Sequence, residues 1–225
     1  MGIAERRARE KEELRSKILE AAGQLFVEQG FQNVSLRKIA DRIEYSPATI
    51  YLYFRDKAEL LNTLCGETFS QLLAALLELE KADADPLSKL RAGLRFYIDF
   101  GLQHPNHYLL TFCTPHHHCR QLEKTPEFEQ TNRTALETFD CLRRSLQHCR
   151  QVGLLEFEDL ELTAQTVWMF IHGTVSLLIL NSGDPHFPWC EKEQLIENSL
   201  DLVLASLKCG ARTGTTKQQH PVAHW

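Results

Sequence analysis

The spacing of apolar residues along the chain predicts helices in almost every segment. In the stretch ELRSKILEAAGQLFVEQG, Leu14, Ile18 and Leu25 fall on one stripe of a helix, and Gly30 stands where a helix-ending residue is expected. Shorter helical patterns begin near Ser35 and Pro47. Longer patterns cover residues 57–82, 87–104, 127–151, 159–180 and 190–208. No segment alternates apolar and polar residues over a useful length, so the sequence predicts an all-α protein.

The order of these patterns predicts two folded domains. Residues 35–54 make two short helices joined by a tight turn at residues 44–46, which is the spacing of a helix-turn-helix motif. We expect an N-terminal arm over residues 1–11, a three-helix helix-turn-helix domain over residues 12–66, a C-terminal helical ligand-binding and dimerisation domain over residues 67–209, and a disordered tail over residues 210–225.

Composition and charge narrow the class of protein. The 225 residues are 43% hydrophobic and 24% charged, as in an ordinary soluble protein. The net charge is −5, and residues 1–60 hold 11 Lys/Arg against 10 Asp/Glu, so any nucleic acid must be bound through placed charges. The sequence shows no secretory signal and no apolar run of membrane-spanning length, and its seven cysteines have no framework spacing. We expect a cytoplasmic protein with no membrane partner.

The stretch SPATIYLYF places several aromatic residues beside a short helix start. On a helical wheel, Ile50 and Phe54 form a buried edge, whereas Ala48 and Leu52 point the opposite way and Tyr51 flanks that outer face. A small residue such as Ala48 keeps the exposed face low enough to enter a DNA groove, and an exposed leucine can contact a thymine methyl group. The pattern therefore predicts a recognition helix.

Cations follow two helix starts, where acidic residues are normally preferred. Lys38 lies three residues after Ser35, and Lys57 directly follows Asp56. A DNA phosphate bound at each helix start would explain both cations, because free N–H groups and a nearby positive charge favour an anion. The alternative is that they are solvated surface cations with no ligand.

The stretch SLRKIADRIEYSPATIYLYFRDKAELL resembles the helix-turn-helix of TetR-family transcriptional repressors. The family pattern has T/S-x-x-x-I-A, a turn ending in Ser, T-x-Y-x-H/Y-F, a short gap and K-x-x-L, and the resemblance covers residues 12–66. The chain departs from it with Glu44-Tyr45 where Gly-Val is usual and with Pro47-Ala48 where x-Gly is usual. The resemblance implies a double-stranded DNA operator as partner and contacts to it from Ser35, Arg37, Tyr45, Ser46, Ala48, Thr49, Tyr51, Tyr53 and Lys57.

The apolar helices of the C-terminal half favour an internal cavity for a small-molecule effector. Aromatic, aliphatic and a few polar residues could line it: Phe96, Tyr97, Phe100, His104, Tyr108, Phe112, Phe139, Leu142, Trp168, Ile171 and His172. Each of them could equally be plain core. No Lys or Arg clearly faces this wall, so the sequence favours an apolar effector.

Two further features of this half admit more than one interpretation. Trp168, His172 and Gly173 in TVWMFIHG resemble a Trp-x-x-x-His-Gly signature of one TetR subgroup, and a mid-helix glycine suggests a close approach there, by a ligand or by a neighbouring helix. The last two helices carry apolar faces that the family uses for a four-helix homodimer interface, and we expect Leu200 to lie in it.

A segment rich in histidine and cysteine raises the possibility of metal binding. The candidate ligands are His104, His107, Cys113, His116, His118 and Cys119. Their spacing matches no standard site, so our first expectation is no metal and no cofactor, with a metal- or thiol-responsive regulator as the alternative.

We therefore expect a homodimeric, ligand-responsive DNA-binding regulator, a repressor released from a palindromic operator by a small, mostly apolar effector. The rival of another class is an all-α enzyme or a partner-binding helical bundle. The sequence contains no G-x-S-x-G, P-loop, H-E-x-x-H or dinucleotide fingerprint, so we expect no enzymatic activity.

Overall fold

A computed structural model describes residues 2–115, 118, 125–181 and 186–208. In these ranges the chain forms nine α-helices and no strand, which confirms the all-α prediction. The helices are α1 (Ile3–Gln29), α2 (Leu36–Arg42), α3 (Pro47–Tyr51), α4 (Lys57–Lys81), α5 (Pro86–Gln103), α6 (Pro105–Phe112), α7 (Pro126–Gln151), α8 (Leu160–Asn181) and α9 (Lys192–Leu207). A short 3-10 turn, Phe31–Asn33, follows α1.

The helix starts follow local chemistry that the sequence indicates. The side chains of Ser35, Ser46, Asp56 and Asp85 each accept a hydrogen bond from a backbone N–H in the first turn of the next helix. Proline occupies the first position of several helices, where its missing N–H costs nothing. Helix α6 begins directly after α5, because Pro105 forces the chain out of the preceding helix at His104.

Buried apolar residues form two separate clusters. The first cluster joins α1, α2, α3 and the start of α4, and includes Ile18, Ile39, Ile50 and Leu60. The second joins α5, α7, α8 and α9 around residues such as Ile98 and Leu146. Helix α6 contributes to both, since Leu110 packs in the first cluster and Tyr108 in the second. The N-terminal and C-terminal cores are thus connected through α6 and through α4, which is 25 residues long.

The N-terminal arm differs from the expectation in one respect. The sequence predicts that residues 1–11 precede the first helix, yet α1 begins at Ile3. Residues 4–13 are exposed, and the first fully buried side chain is that of Ile18. The ion pairs Arg6–Glu10 and Arg9–Glu13 support the helix at the spacing of one turn. The first turns of α1 therefore project from the first core as a helical extension.

Helices α4 and α8 are long and apolar enough, by length and composition, to span a membrane. A search for uninterrupted apolar runs does not detect them, because polar residues are scattered along both. Both helices contact several others, α4 with α5, α6 and α7, and α8 with α5, α7 and α9. Long core helices of soluble proteins have the same composition.

Candidate DNA-binding surface and effector cavity

Helix α3 presents the face that the helical wheel predicts. The side chains of Ile50 and Phe54 are buried in the first core. Tyr51 is 61% exposed and Leu52 is 80% exposed, and Ala48 beside them is also exposed. An apolar residue as exposed as Leu52 is available to a partner, which for a recognition helix is the major groove of DNA.

The structure gathers the predicted DNA contacts around α2 and α3. Six are exposed, namely Ser35, Arg37, Tyr45, Ser46, Ala48 and Tyr51, and three are partly buried, namely Thr49, Tyr53 and Lys57. The hydroxyl oxygens of Ser35 and Ser46 accept hydrogen bonds from the N–H groups of Lys38 (3.3 Å) and Thr49 (3.2 Å). These nine positions remain predicted contacts.

The turn between α2 and α3 explains one departure from the family pattern. Glu44 has φ of 61°, in the left-handed region that favours glycine. The N–H of Tyr45 donates to the carbonyl of Ala40 (3.0 Å) and the N–H of Glu44 to that of Asp41 (3.4 Å), the pattern of a Schellman helix end. Glu44 therefore occupies the position where glycine is usual and adopts its backbone conformation at some cost in strain.

Lys57 has a different environment from the one expected. Its ammonium group donates to the carbonyl oxygens of Phe31 (2.8 Å), Gln32 (3.2 Å) and Val34 (3.2 Å) and lies 4.5 Å from the centre of the Phe31 ring. Burial lowers the pKa of Lys57. This ammonium group fastens the start of α4 to the turn after α1.

Lys38 behaves in a similar way. Its ammonium group donates to the carbonyl oxygen of Asn33 (2.9 Å) and the side chain of Gln29 (3.0 Å). The carbonyl groups around the end of α1 thus explain why both lysines occur at helix starts, and a bound phosphate is not needed to explain their positions. Sequence reasoning misses this because the carbonyl groups lie far from Lys57 in the chain.

A cavity of about 840 Å³ lies in the C-terminal domain between α4, α5, α6, α7 and α8. Six of the predicted residues line it: Tyr97, Phe112, Phe139, Leu142, Trp168 and Ile171. Phe96, Phe100, His104, Tyr108 and His172 are not part of its wall. Helix α4 also contributes, which the sequence prediction did not include, although Phe69, Leu76 and Leu79 follow the helical repeat on one face.

Charged side chains also border this cavity, so the expectation of no inward Lys or Arg is wrong. Lys89 and Arg144 belong to the lining, together with Glu80 and Glu161. Arg144 forms an ion pair with Glu80 at 2.8 Å, and Glu161 forms one with Arg143 at 3.1 Å. The Lys89 ammonium instead donates to the backbone carbonyl oxygen of Glu80 at 3.0 Å. Two cations and two carboxylates thus belong to the lining, so their formal charges cancel and they supply little net attraction for an ion.

A buried polar cluster stands behind the cavity wall. The indole N–H of Trp168 donates to the hydroxyl of Tyr97 (3.3 Å), which donates to the hydroxyl of Tyr108 (3.3 Å). The hydroxyl of Tyr108 in turn contacts Nδ1 of His172. Burial raises the pKa of Tyr97 to about 12 and that of Tyr108 further, and it lowers the pKa of His172. The lowered pKa favours the neutral imidazole, and the ring of His172 belongs to this interior network and not to the cavity wall.

The close helix approach predicted at Gly173 occurs at Gly101 instead. A Cβ on Gly173 would meet nothing within 4 Å. A Cβ on Gly101 would lie 2.5 Å from Cγ1 of Val175 and 2.8 Å from the ring of Tyr108. The absence of a side chain at Gly101 thus lets α5 pack tightly against α6 and α8.

The outer faces of α8 and α9 carry apolar side chains. Met169, Leu177 and Leu180 are exposed on α8, and Leu202 is exposed on α9. Leu200 is fully buried in the second core, so the expectation that it faces a partner subunit is wrong. The helical repeat could not separate the inner from the outer apolar stripe of a helix that has both.

The histidine-rich segment is only partly described. Two of its members, His116 and Cys119, lie outside the described residues, as does the tail 210–225. Among the described residues, no three His, Cys, Asp or Glu side chains come close enough to hold a metal ion. The rings of His104 and His107 are 6.3 Å apart, whereas His118 stacks on Phe31 at 4.5 Å.

An exposed recognition helix on one domain and a cavity in the other define a ligand-responsive helix-turn-helix regulator. Comparison with family models agrees: the model for bacterial regulatory proteins of the tetR family matches residues 18–64, and that for the tetracyclin repressor-like C-terminal domain matches residues 90–217. The chain belongs to the TetR family of DNA-binding transcriptional regulators, whose members bind operators and typically small-molecule effectors as dimers. The resemblance to a Trp-x-x-x-His-Gly subgroup stays a prediction.

Individual relatives support the same conclusion. The HTH-type transcriptional regulator AcrR of Shigella flexneri is 28% identical over 181 residues, covering 80% of this chain and 82% of the relative. The TetR-family regulator PfmR of Thermus thermophilus shares the fold with a TM-score of 0.66 at 22% identity, over 84% of this chain and 97% of the other. The ketosteroid transcriptional regulator KstR2 of Mycobacterium tuberculosis does so with a TM-score of 0.68 at 20% identity, over 86% and 94%.

Proposed function

We propose that this regulator is a homodimeric, non-enzymatic, cytoplasmic repressor that binds a palindromic operator through α2 and α3 and releases it when an apolar effector enters the cavity. The cavity is the observation that carries this proposal. Its volume of about 840 Å³ lies in the range of small-molecule sites, and its wall is mainly aliphatic and aromatic. The proposed domain boundaries are those expected from the sequence.

Helix α6 supports a physical connection between cavity and DNA-binding surface. Thr111 and Phe112 line the cavity, while the adjacent Leu110 is buried in the core of the helix-turn-helix domain. The carbonyl of Leu110 also lies 4.0 Å from the thiol of Cys65 in α4. Because α6 is a single helix of only eight residues, we expect its two ends to move together. An effector that shifts Phe112 therefore moves Leu110 against α1 and α4.

Specific binding to a palindromic operator also requires a fixed spacing between two recognition helices. One short helix reads few base pairs, and a two-fold dimer doubles the site. The exposed apolar residues Met169, Leu177 and Leu202 on α8 and α9 suit a four-helix interface. A rotation of each helix-turn-helix domain about this interface changes the separation of the two α3 helices, which weakens operator binding.

The nature of the effector follows from the wall. A mostly apolar molecule fits best, because most of the wall is aliphatic or aromatic and its two cations are balanced by two carboxylates. Two neighbours of the same fold have names that point to hydrophobic compounds, the ketosteroid regulator KstR2 and the fatty acid degradation regulator FadR of Bacillus halodurans. Both are consistent with an apolar effector here.

A compound panel tests the proposal with a variant that fills the cavity. Apolar compounds should raise the thermal midpoint of the wild-type protein and release operator DNA together, because a ligand acts through its preference for one state. Gly93 lines the cavity, and a Cβ there lies at an ordinary 3.6 Å from Leu76, so Gly93→Leu should fold, bind DNA and lose both responses.

The exposed helical residue Ala74 provides the control, and Ala74→Leu should respond like the wild type. Release by the same compounds from Gly93→Leu would contradict the proposed site. A response confined to divalent metals, and reversed by a chelator, would favour the metal-responsive alternative instead.

A further inference from the structure

The hydroxyl group of Thr111 is buried at the cavity wall without a hydrogen-bond partner. Thr111 lies in α6, is 3% exposed and belongs to the cavity lining. Its Oγ1 makes no hydrogen bond within the described part of the chain, and in this rotamer the oxygen has almost no surface open to the cavity, so a contact with a ligand requires rotation of the side chain. A buried hydroxyl in that state is unfavourable, and such groups in folded proteins normally have a partner.

Other helical threonines show what a satisfied hydroxyl looks like here. Thr68, Thr134 and Thr138 each donate to the carbonyl oxygen four residues earlier, at 2.7–3.0 Å. Thr138 is the closest comparison, because it lines the same cavity from α7 and donates to the carbonyl of Thr134 at 2.7 Å. The difference between Thr111 and Thr138 is therefore one of bonding and not of location.

The surroundings of Thr111 are apolar and aromatic. The adjacent ring of Phe112 lies 5.5 Å from that of Phe69 and 5.6 Å from that of Tyr97, and all three residues line the cavity. The charged pair Glu80–Arg144 belongs to the other end of the cavity. Glu80 is eleven residues beyond Phe69 on α4, which corresponds to about 16 Å along the helix. A charged group beside Thr111 would have no counter-charge, whereas an uncharged oxygen would need only one hydrogen bond.

We propose that Thr111 is the polar anchor of the effector, which is an elongated apolar molecule carrying an uncharged oxygen function, a ketone or an alcohol, at one end. The inference rests on the proposed function, in which the cavity holds the effector. A threonine hydroxyl can donate to a carbonyl oxygen or accept from an alcohol, and rotation about the Cα–Cβ bond exchanges its hydroxyl and methyl positions at the wall. The oxygen of the effector would supply the missing partner.

The anchor also gives α6 a direct part in selecting the effector. Thr111 follows Leu110, which packs in the core of the helix-turn-helix domain. A hydrogen bond from the effector to Thr111 thus acts on the helix that connects the two domains. An oxygenated compound should be selected over the hydrocarbon of the same shape, because only the oxygenated one satisfies the buried hydroxyl.

Thermal denaturation without any ligand gives the first test. Thr111→Val removes the hydroxyl at nearly constant shape, so its thermal midpoint should be equal to or above that of the wild type. The matched control Thr138→Val loses a real hydrogen bond and should melt at a lower temperature. If Thr111→Val melts as early as Thr138→Val, the hydroxyl has a partner in the folded protein, such as bound water, and the proposal is wrong.

Binding of matched compounds gives the second test. Naphthalene, 2-naphthol, 2-acetylnaphthalene and 2-naphthoate are titrated into the full-length wild type, Thr111→Val and Thr134→Val. The ketone and the alcohol should bind Thr111→Val about tenfold more weakly than the wild type, whereas naphthalene should bind all three proteins equally. Thr134→Val, at a buried threonine that is not part of the cavity wall, is titrated as the control and should bind every compound like the wild type. Among the four compounds, 2-naphthoate should bind worst.

The outcomes separate this inference from the proposed function. If all four compounds bind Thr111→Val as they bind the wild type, the cavity is a ligand site and Thr111 is not its anchor. Preference for 2-naphthoate would likewise overturn the uncharged anchor. If none of the compounds binds the wild type, both the cavity proposal and the anchor fail.

Discussion

In the helix-turn-helix domain, the ammonium group of Lys57 is enclosed by three carbonyl oxygens, whereas in the C-terminal domain the hydroxyl of Thr111 is buried without a partner. The first domain has a filled apolar core, and its turn and helix starts are fixed by side-chain caps. The second has a core interrupted by a cavity of about 840 Å³.

This difference corresponds to the separate functions of the two domains, DNA recognition and the response to a ligand. A surface that reads DNA needs one fixed geometry, so its polar groups are satisfied within the protein and its contact residues point outward. A domain that responds to a ligand must leave interactions unmade until the ligand arrives, because a ligand shifts an equilibrium only through its preference for one state. Within the described residues, the buried side-chain groups without a hydrogen-bond partner, Thr111 among them, all belong to the second domain.

The largest expected effect comes from a charge on the exposed face of α3. Ala48→Glu should weaken operator binding by about two orders of magnitude, because a carboxylate would face the phosphate-rich DNA groove. The thermal midpoint should not change, since Ala48 is exposed. Fluorescence anisotropy with operator DNA at several salt concentrations measures the effect. Ala74→Glu, an exposed position on α4, is the matched control. Equal loss in both variants would remove α3 from the DNA interface.

The next largest effect is expected at Lys57, where a structural role and a DNA-contact role predict different results. Lys57→Met keeps the length of the side chain but leaves carbonyl oxygens without a donor, so we expect a loss of about 2 kcal/mol in unfolding free energy. Chemical denaturation measures that loss. If the carbonyl oxygens are the only partners of Lys57, the salt dependence of DNA binding should keep its slope. A fully stable variant whose salt slope falls by about one unit would instead make Lys57 a phosphate contact.

The two predictions also show what the sequence can tell and where it stops. The period of apolar residues was sufficient to place the long helices and to separate Ile50 from Leu52 on α3, because a helical wheel depends only on nearby positions. The bonding of Lys57 could not be found in this way, since its three acceptors lie 23 to 26 residues earlier.

The cavity was predictable only in part for the same reason. Aromatic residues such as Tyr97 and Trp168 indicated it, but whether a residue faces a cavity or plain core depends on how the helices cross. His172 and Tyr108 fell on the wrong side of that distinction, and the local pattern indicated Gly173 but gave no sign of the close packing at Gly101.

A smaller effect is expected for the pH dependence of stability, to which the buried imidazole of His172 should contribute. Burial lowers the pKa of His172, so the unfolded chain binds its proton more readily. Its contribution to stability is complete above the unfolded pKa, near 6.5, and is lost as the pH falls through that value toward the lowered pKa. Between pH 7.5 and 5.5, His172→Asn should therefore lose less stability than the wild type in denaturant titrations.

The comparison of His172→Asn with the wild type must account for a second histidine with a lowered pKa and needs an exposed histidine as a control. Burial and the neighbouring His104 also lower the pKa of His107, but this contribution is common to both proteins and cancels in the difference. His148→Asn, at an exposed position on α7, controls for the loss of an imidazole ring as such. A His172→Asn profile parallel to that of the wild type would mean that His172 is protonated in the folded protein without cost.

The smallest expected effect tests whether the backbone of the helix-turn-helix domain is strained at Glu44. Glu44 holds φ of 61° at the end of α2, a conformation that costs a non-glycine residue about 1 kcal/mol and that glycine adopts freely. Glycine also gives the unfolded chain more freedom, which offsets part of the gain, so Glu44→Gly should stabilise the protein by about 0.5 kcal/mol. In Glu137→Gly, an exposed position within α7, the same exchange should cost about 1 kcal/mol, because there the backbone is helical. Thermal and chemical denaturation of both variants decide the matter. If Glu44→Gly stabilises the protein while Glu137→Gly destabilises it, the turn before α3 is strained. If both variants are less stable than the wild type, Glu44 makes a favourable contact that outweighs its backbone strain.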